Sequence, residues 1–265
     1  MPYFNNQGTR LYFEDRGKGQ PLLLLAGLGM VVGHWKGQLN LLNLAQQFRV
    51  ISLENRGIGK SDMPEGPYHV KQLAHDACAL LNHLELEQCS VVGHSMGGFT
   101  AQVLAAQHPE RIKRLVVAFS GKKLPAVGVE RLKLGVELRK ANVPRRLRTR
   151  IAFLGFYDRS LYEDRLTAKL WLDAAQLPPE PELEGLEAQV AACLTHDASQ
   201  WCHKIVAPTL VVAGDSDQIF PATQAAHLAE ELVRGEFQLV KDCGHTPFGQ
   251  SASAFTSAIQ RFIDE

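Results

Sequence analysis

The sequence is short of several things, and each shortage excludes a class of protein. Five cysteines in 265 residues, at 78, 89, 193, 202 and 243, are odd in number and scattered, with no C-x-x-C pair. That is neither a disulfide framework nor a zinc ribbon, and it points to a reducing compartment. No apolar run approaches the roughly 20 residues needed to span a bilayer. The start, Met1-Pro2-Tyr3-Phe4-Asn5-Asn6, lacks a basic segment followed by an apolar one, so the expected location is the cytoplasm. Charge of neither sign is in excess: 28 Lys and Arg balance 28 Asp and Glu. Bulk charge therefore indicates neither nucleic acid nor an anionic membrane as a partner. A clustered His, Cys and Asp ligand set is missing, as is a dinucleotide-binding glycine fingerprint, so no metal and no organic cofactor is expected. Gly59-Lys60-Ser61 mimics the end of a phosphate-binding loop. Glu54 replaces that loop's first glycine, however, and Pro64 follows where a helix should begin.

What is present is an ordinary globular composition, 45% hydrophobic and 21% charged, with a regular rhythm. Tyr3–Phe4 and Arg10–Glu14 read as a hairpin around Asn6-Gln7-Gly8. Leu22 to Ala26 is an unbroken apolar run, the mark of a strand covered on both faces as in a parallel sheet. Further strands are expected at Arg49–Leu53, Cys89–Val92 and Leu115–Phe119, with helical spacing at Trp35–Gln47 and His69–Leu86. The alternation predicts a mostly parallel, doubly wound α/β sheet. It lapses between Gly121 and His203, where helical patterns occur without a convincing strand. It resumes at Thr209–Ala213, a helix near Ala222–Leu232, a strand at Phe237–Val240 and a last helix from Ser253 to Ile263. Residues 1–120 and 204–265 are thus expected to form one core. Residues 121–203 are expected to be a helical cap inserted over the carboxyl edge of the sheet, where ligands bind in open α/β folds. Pro178-Pro179-Glu180-Pro181 is the one clear rigid connector.

The chain is organised around Val91-Val92-Gly93-His94-Ser95-Met96-Gly97-Gly98, where a strand stops and a helix begins. So sharp a turn leaves no room for side chains at Gly93 or Gly97, and it lifts the serine hydroxyl out of the sheet. The helix behind it aims free N–H groups at the place where an oxyanion would form. A serine hydroxyl also needs a base, and the base needs an acid to hold its tautomer. His245 follows the Phe237–Val240 strand at the same sheet edge as Ser95. His75, His83 and His227 sit in helical patterns, and His94 should point elsewhere from the turn. Asp215 and Asp217 both follow the Thr209–Ala213 strand, and spacing alone does not choose between them.

In combination these motifs resemble the α/β-hydrolase superfamily, in its branch of small cofactor-free esterases and enol-lactonases. They are Gly93-His94-Ser95-Met96-Gly97, Asn55-Arg56-Gly57-Ile58-Gly59-Lys60-Ser61-Asp62, Gly214-Asp215-Ser216-Asp217 and Gly244-His245. The chain order Ser, Asp, His is that of the fold. The resemblance implies Asp217 as the acid and the backbone N–H groups of Leu28 and Met96 as the oxyanion hole. Ala26 stands where such proteins commonly carry His, and Thr246 stands where C–C hydrolases of the superfamily usually carry Trp. The function so implied is a cofactor-free carboxylic ester hydrolase acting on a small ester or lactone through an acyl-enzyme. Phe119, Trp171 and Phe248 are expected in the substrate pocket, with Phe153, Phe156, Tyr157 and Trp201 as further aromatics of the cap. Two other functions fit the same residues. One is a ligand receptor or interaction protein that keeps the fold without turnover. The other is a thioesterase whose acidic carrier protein meets the basic cluster Arg139, Lys140, Arg145, Arg146, Arg148 and Arg150.

Overall fold

The structure, a computed structural model, describes residues 2–35, 39, 41–174, 180–247 and 249–265. Strands β1 (Tyr3–Asn6), β2 (Thr9–Arg16), β3 (Gln20–Leu25) and β4 (Phe48–Leu53) are followed by β5 (Cys89–His94), β6 (Ile112–Ala118), β7 (Thr209–Gly214) and β8 (Gly235–Val240). They form one sheet in the order β1-β2-β4-β3-β5-β6-β7-β8. The β1–β2 and β2–β4 pairings are antiparallel, and every pairing from β4 across to β8 is parallel.

The unbroken apolar runs are explained by two cores, one on each face of the sheet. Leu23, Leu25, Ile51, Leu53, Val91 and Val117 point to one layer. Their neighbours Leu22, Leu24, Val50, Val92, Val116 and Val212 point to the other. Alternate side chains of a strand leave by opposite faces, so both faces of a covered strand must be apolar. Each fully buried leucine side chain contributes about 1.5–3 kcal/mol.

Helices α1 (Leu41–Gln47), α2 (Val70–His83) and α3 (Met96–Gln107) belong to the first half, and α9 (Ala222–Glu231) and α10 (Gly249–Asp264) to the last. Buried residues of α2, α3 and α9 complete the first core, while Leu44 of α1 and Phe255, Ile259 and Phe262 of α10 complete the second. Between β6 and β7 lie α4 (Ala126–Lys140), α5 (Arg145–Phe156), α6 (Ser160–Glu163), α7 (Arg165–Ala174) and α8 (Leu183–Thr195). The only β pairing among the described residues of that stretch is an isolated bridge between Lys123 and Asp197. Of the expected helix over Trp35–Gln47 the structure describes α1, with a 3-10 turn at Val32–His34 before it; residues 36–38 and 40 lie outside the described residues. In the expected Pro178–Pro181 connector, residues 178 and 179 lie outside the described residues. No helix among the described residues is long and apolar enough to cross a membrane.

The strand order reverses at β3: the chain steps to β4 on one side, then to β5 on the other. The loop leaving β3 and the turn leaving β5 therefore face each other across the crevice where open α/β sheets bind ligands.

Candidate active site

Ser95 sits between β5 and α3 with φ 55° and ψ −117°, a backbone state that costs on the order of 1–3 kcal/mol. The small neighbours make it possible: a side chain on Gly93 would meet the carbonyl of Gly97, and one on Gly97 the carbonyl of Leu25. The turn is held by Ser95 N–H donating to Ala118 O at 2.9 Å and by Ser120 Oγ donating to Ser95 O at 2.9 Å.

His245, in the loop after β8, brings Nε2 to 3.0 Å from Ser95 Oγ. Its Nδ1 lies 2.9 Å from Asp217 Oδ2, in the loop after β7. A carboxylate can only accept, so Nδ1 carries the hydrogen and Nε2 is left to accept from the serine hydroxyl. The other oxygen of Asp217 accepts from Ile219 N–H at 2.7 Å and Phe220 N–H at 2.9 Å. Burial pushes the Asp217 carboxyl up, but His245 and these two N–H groups outweigh it and hold the group below the ordinary carboxylate value. Asp215 does something else. Its carboxylate accepts from the N–H groups of Asp242 and Cys243, each at 3.1 Å, and so shapes the loop that carries His245.

Beside Ser95 the Gly27–Met30 turn is closed by Met30 N–H donating to Gly27 O at 3.2 Å. Gly29 has φ 69°, the positive value a type II turn needs at its third residue. Such a turn uses neither central N–H, which leaves that of Leu28 free of the turn's own bond. Met96, as the first residue of α3, likewise has an N–H that no carbonyl of its helix can reach. Gly27 is packed so closely that a side chain there would lie 3.3 Å from Ser95 Cβ.

A cavity of about 590 Å³ opens over Ser95 and His245. Leu28 and Met96 line it from below, and Leu132, Phe153, Phe156, Tyr157 and Trp171 line it from the 121–203 stretch. No Asp, Glu, Lys or Arg is among its described lining residues. Two of the expected pocket residues are placed otherwise or not at all. Phe119 is not in the wall: it is fully buried, with its ring 5.5 Å from His94 and 5.2 Å from Phe255. The backbone turns to φ 50° where β6 ends, and the ring joins the core beneath the sheet instead of rising above it. Phe248 lies outside the described residues. Trp201 is absent from the cavity lining, packs against His196 and donates from Nε1 to Asp197 O at 3.0 Å. Within the basic cluster, Arg148 forks onto Glu180 at 2.5 and 2.9 Å, and Lys140 pairs with Glu187.

Two residues of the site were not legible as such. His94, set aside as pointing elsewhere, donates from Nε2 to the carbonyl oxygen of His245 at 3.0 Å. Gln189 of α8 is fully buried and bonds to the Gly27–Met30 turn. Its one signal in the sequence is a polar side chain inside the apolar run Ala188-Gln189-Val190-Ala191-Ala192-Cys193.

Residues 20–252 match the family model described as alpha/beta hydrolase fold. The chain is 31% identical to the 2-hydroxymuconate semialdehyde hydrolase of Pseudomonas sp. (strain CF600), over 97% of this chain and 92% of that protein. It is 29% identical to 3-oxoadipate enol-lactonase 2 of Acinetobacter baylyi, over 91% of this chain and 88% of that one. Among solved structures, the enol-lactonase from Burkholderia xenovorans LB400 superposes with a TM-score of 0.83 at 26% identity, covering 100% of both chains. With sheet order, strand-to-helix serine turn and overall sequence in agreement, the chain belongs to the alpha/beta hydrolase fold family.

Proposed function

We propose that the protein is a serine hydrolase that cleaves a carboxylic ester or lactone with an uncharged, apolar acyl portion. The observation that carries this reading is His245 hydrogen-bonded to Ser95 on one side and Asp217 on the other, at the floor of an apolar cavity. As Ser95 Oγ attacks the carbonyl carbon, its proton passes to His245 Nε2, and Asp217 stabilises the imidazolium that forms. The tetrahedral oxyanion is received by the N–H groups of Leu28 and Met96; one such donor contributes roughly 3–4 kcal/mol in measured cases. His245 then gives its proton to the leaving alkoxide. The acyl-enzyme is opened by water that the same imidazole deprotonates, and the serine is regenerated.

The enol-lactonases among the relatives support the lactone half of the reading. The uncharged acyl portion is supported by the absence of Asp, Glu, Lys and Arg from the described lining residues: a carboxylate buried there would meet no Lys or Arg among them. Residues 121–203 serve as a cap that excludes water and selects the acyl group. The test is turnover of chromogenic esters by the wild-type protein and by Ser95→Ala. Hydrolysis lost in the variant supports the reading, and equal rates in both proteins overturn it. No turnover by the wild type favours a receptor.

A further inference from the structure

We infer that Gln189 is a positioning residue for the oxyanion donor Leu28: through it, helix α8 of the 121–203 stretch fixes the turn that presents the Leu28 N–H. The inference rests on the hydrolase reading above.

A primary amide in a protein core needs partners for both its ends, or it costs about 1–3 kcal/mol. Gln189, fully buried, finds both on loops of the sheet. Oε1 accepts from Gly29 N–H at 3.0 Å, and Nε2 donates to Arg56 O at 2.9 Å. A backbone N–H can only donate and a carbonyl only accept, so one orientation of the amide satisfies both contacts.

The far end of this bridge is rigid. Arg56 is itself buried and forks onto Asp76 with two contacts of 2.7 Å, and Asp76 also takes Asn6 Nδ2 at 2.7 Å. The helix carrying Gln189 is docked on the same loops. Ala188 O accepts from Tyr68 N–H at 3.2 Å, and Gly185 lies so close to Gly57 that a side chain would run into its carbonyl.

The near end is where the chemistry would be. Turns of types I and II differ by a rotation of the central peptide, and in the Gly27–Met30 turn that peptide's N–H belongs to Gly29. The bond from Gln189 pins that peptide. With the pin gone the turn is tied only by its own 3.2 Å bond from Met30 N–H to Gly27 O, so it can shift as a unit and carry the Leu28 N–H off its direction. The preceding residue, Ala26, has only a methyl group with which to brace the turn. Electrostatic stabilisation of an oxyanion depends on donors that are already aimed. Gln189 therefore acts on the transition state and not on substrate binding.

The test uses two variants of the full chain, Gln189→Met and Gln189→Glu, with a chromogenic apolar ester. In Gln189→Met, kcat should fall roughly ten- to hundredfold, the scale of a small misplacement, while KM stays within about twofold. A trifluoromethyl ketone, which forms a tetrahedral adduct on serine, should lose affinity by the same factor as kcat/KM, and an unreactive apolar alcohol should bind as before. Protonated Gln189→Glu can still donate to Arg56 O and accept from Gly29 N–H. Ionisation removes the donor and sets a carboxylate oxygen against the Arg56 carbonyl, which drives the side chain out of its place between the two loops and so off Gly29 N–H as well. Its kcat relative to wild type should therefore be near one at low pH and fall as pH rises.

An unchanged kcat in Gln189→Met would overturn the inference. So would an equal loss of affinity for the ketone and the alcohol, which would mean general damage to the cavity. Should Gln189→Met fail to fold, a pH-independent ratio for Gln189→Glu overturns it instead. Failure of the hydrolase reading looks different: a wild-type protein that neither turns over nor forms the ketone adduct removes that reading and this one together.

Discussion

His94 donates its Nε2 hydrogen to the backbone carbonyl oxygen of His245 across 3.0 Å, so the residue before Ser95 holds in place the residue proposed as its base. The ring lies wholly inside the protein, and its Nδ1 has no hydrogen-bond partner among the described residues. Burial, reinforced by His245, pushes its pKa down to about 3, so it stays neutral. A histidine whose folded pKa is depressed favours the folded state above its ordinary value of 6.5, and that stability is lost as pH falls towards the folded value. His196, pushed down to about 4 by burial, acts in the same direction. Unfolding free energy should therefore drop by up to about 2 kcal/mol per histidine between pH 8 and pH 5. Denaturant titrations at several pH values check this: His94→Gln and His196→Gln should each flatten the dependence. Slopes identical to wild type would show that neither ring is held neutral.

Asp217 and Asp215 stand two residues apart and should behave very differently. In Asp217→Asn the amide can donate to His245 Nδ1, which favours the tautomer with the hydrogen on Nε2 and leaves no acceptor for Ser95. A loss of about 10⁴-fold in kcat is expected, the scale known for this change in a serine triad. Asp215→Asn keeps an acceptor oxygen for the Asp242–Cys243 backbone and should lower kcat by less than about tenfold. Steady-state kinetics of the two variants rank them, and the reverse order would assign the acid to Asp215.

Trp171 lines the cavity from α7, and its ring lies 6.0 Å from that of Tyr157. Trp171→Ala enlarges the cavity proposed to take the acyl group. It should move the optimum of kcat/KM to longer chains, by up to about fourfold for each further methylene that becomes buried. Ser95 should stay reactive to a small phosphonate. An unchanged chain-length profile across p-nitrophenyl esters would remove Trp171 from the selecting wall.

Features set by local chemistry were legible in the sequence. The four leucines of β3 announce a strand buried on both faces, and Gly93 and Gly97 announce a turn with no room for side chains. Order along the chain led to His245, while the choice of Asp217 over Asp215 needed the resemblance to a known family, because both aspartates follow the same strand. What escaped depends on distant parts of the chain or on one backbone angle. Gln189 meets Gly29 across 160 residues, and nothing near either residue records it. Phe119 looks like a residue at the mouth of the sheet until φ 50° turns it into the core. His94 does point away from Ser95, as a neighbour in a sharp turn should, but the direction it takes leads to His245.

The central claim is that Ser95 is an activated nucleophile, and active-site labelling tests it most directly. The native protein would be treated with a fluorophosphonate, digested, and the modified peptide located by mass spectrometry. The label should fall on Ser95, should disappear in Ser95→Ala, and should slow by orders of magnitude in Asp217→Asn. A label on another residue, or one that persists undiminished in Ser95→Ala, would contradict the account.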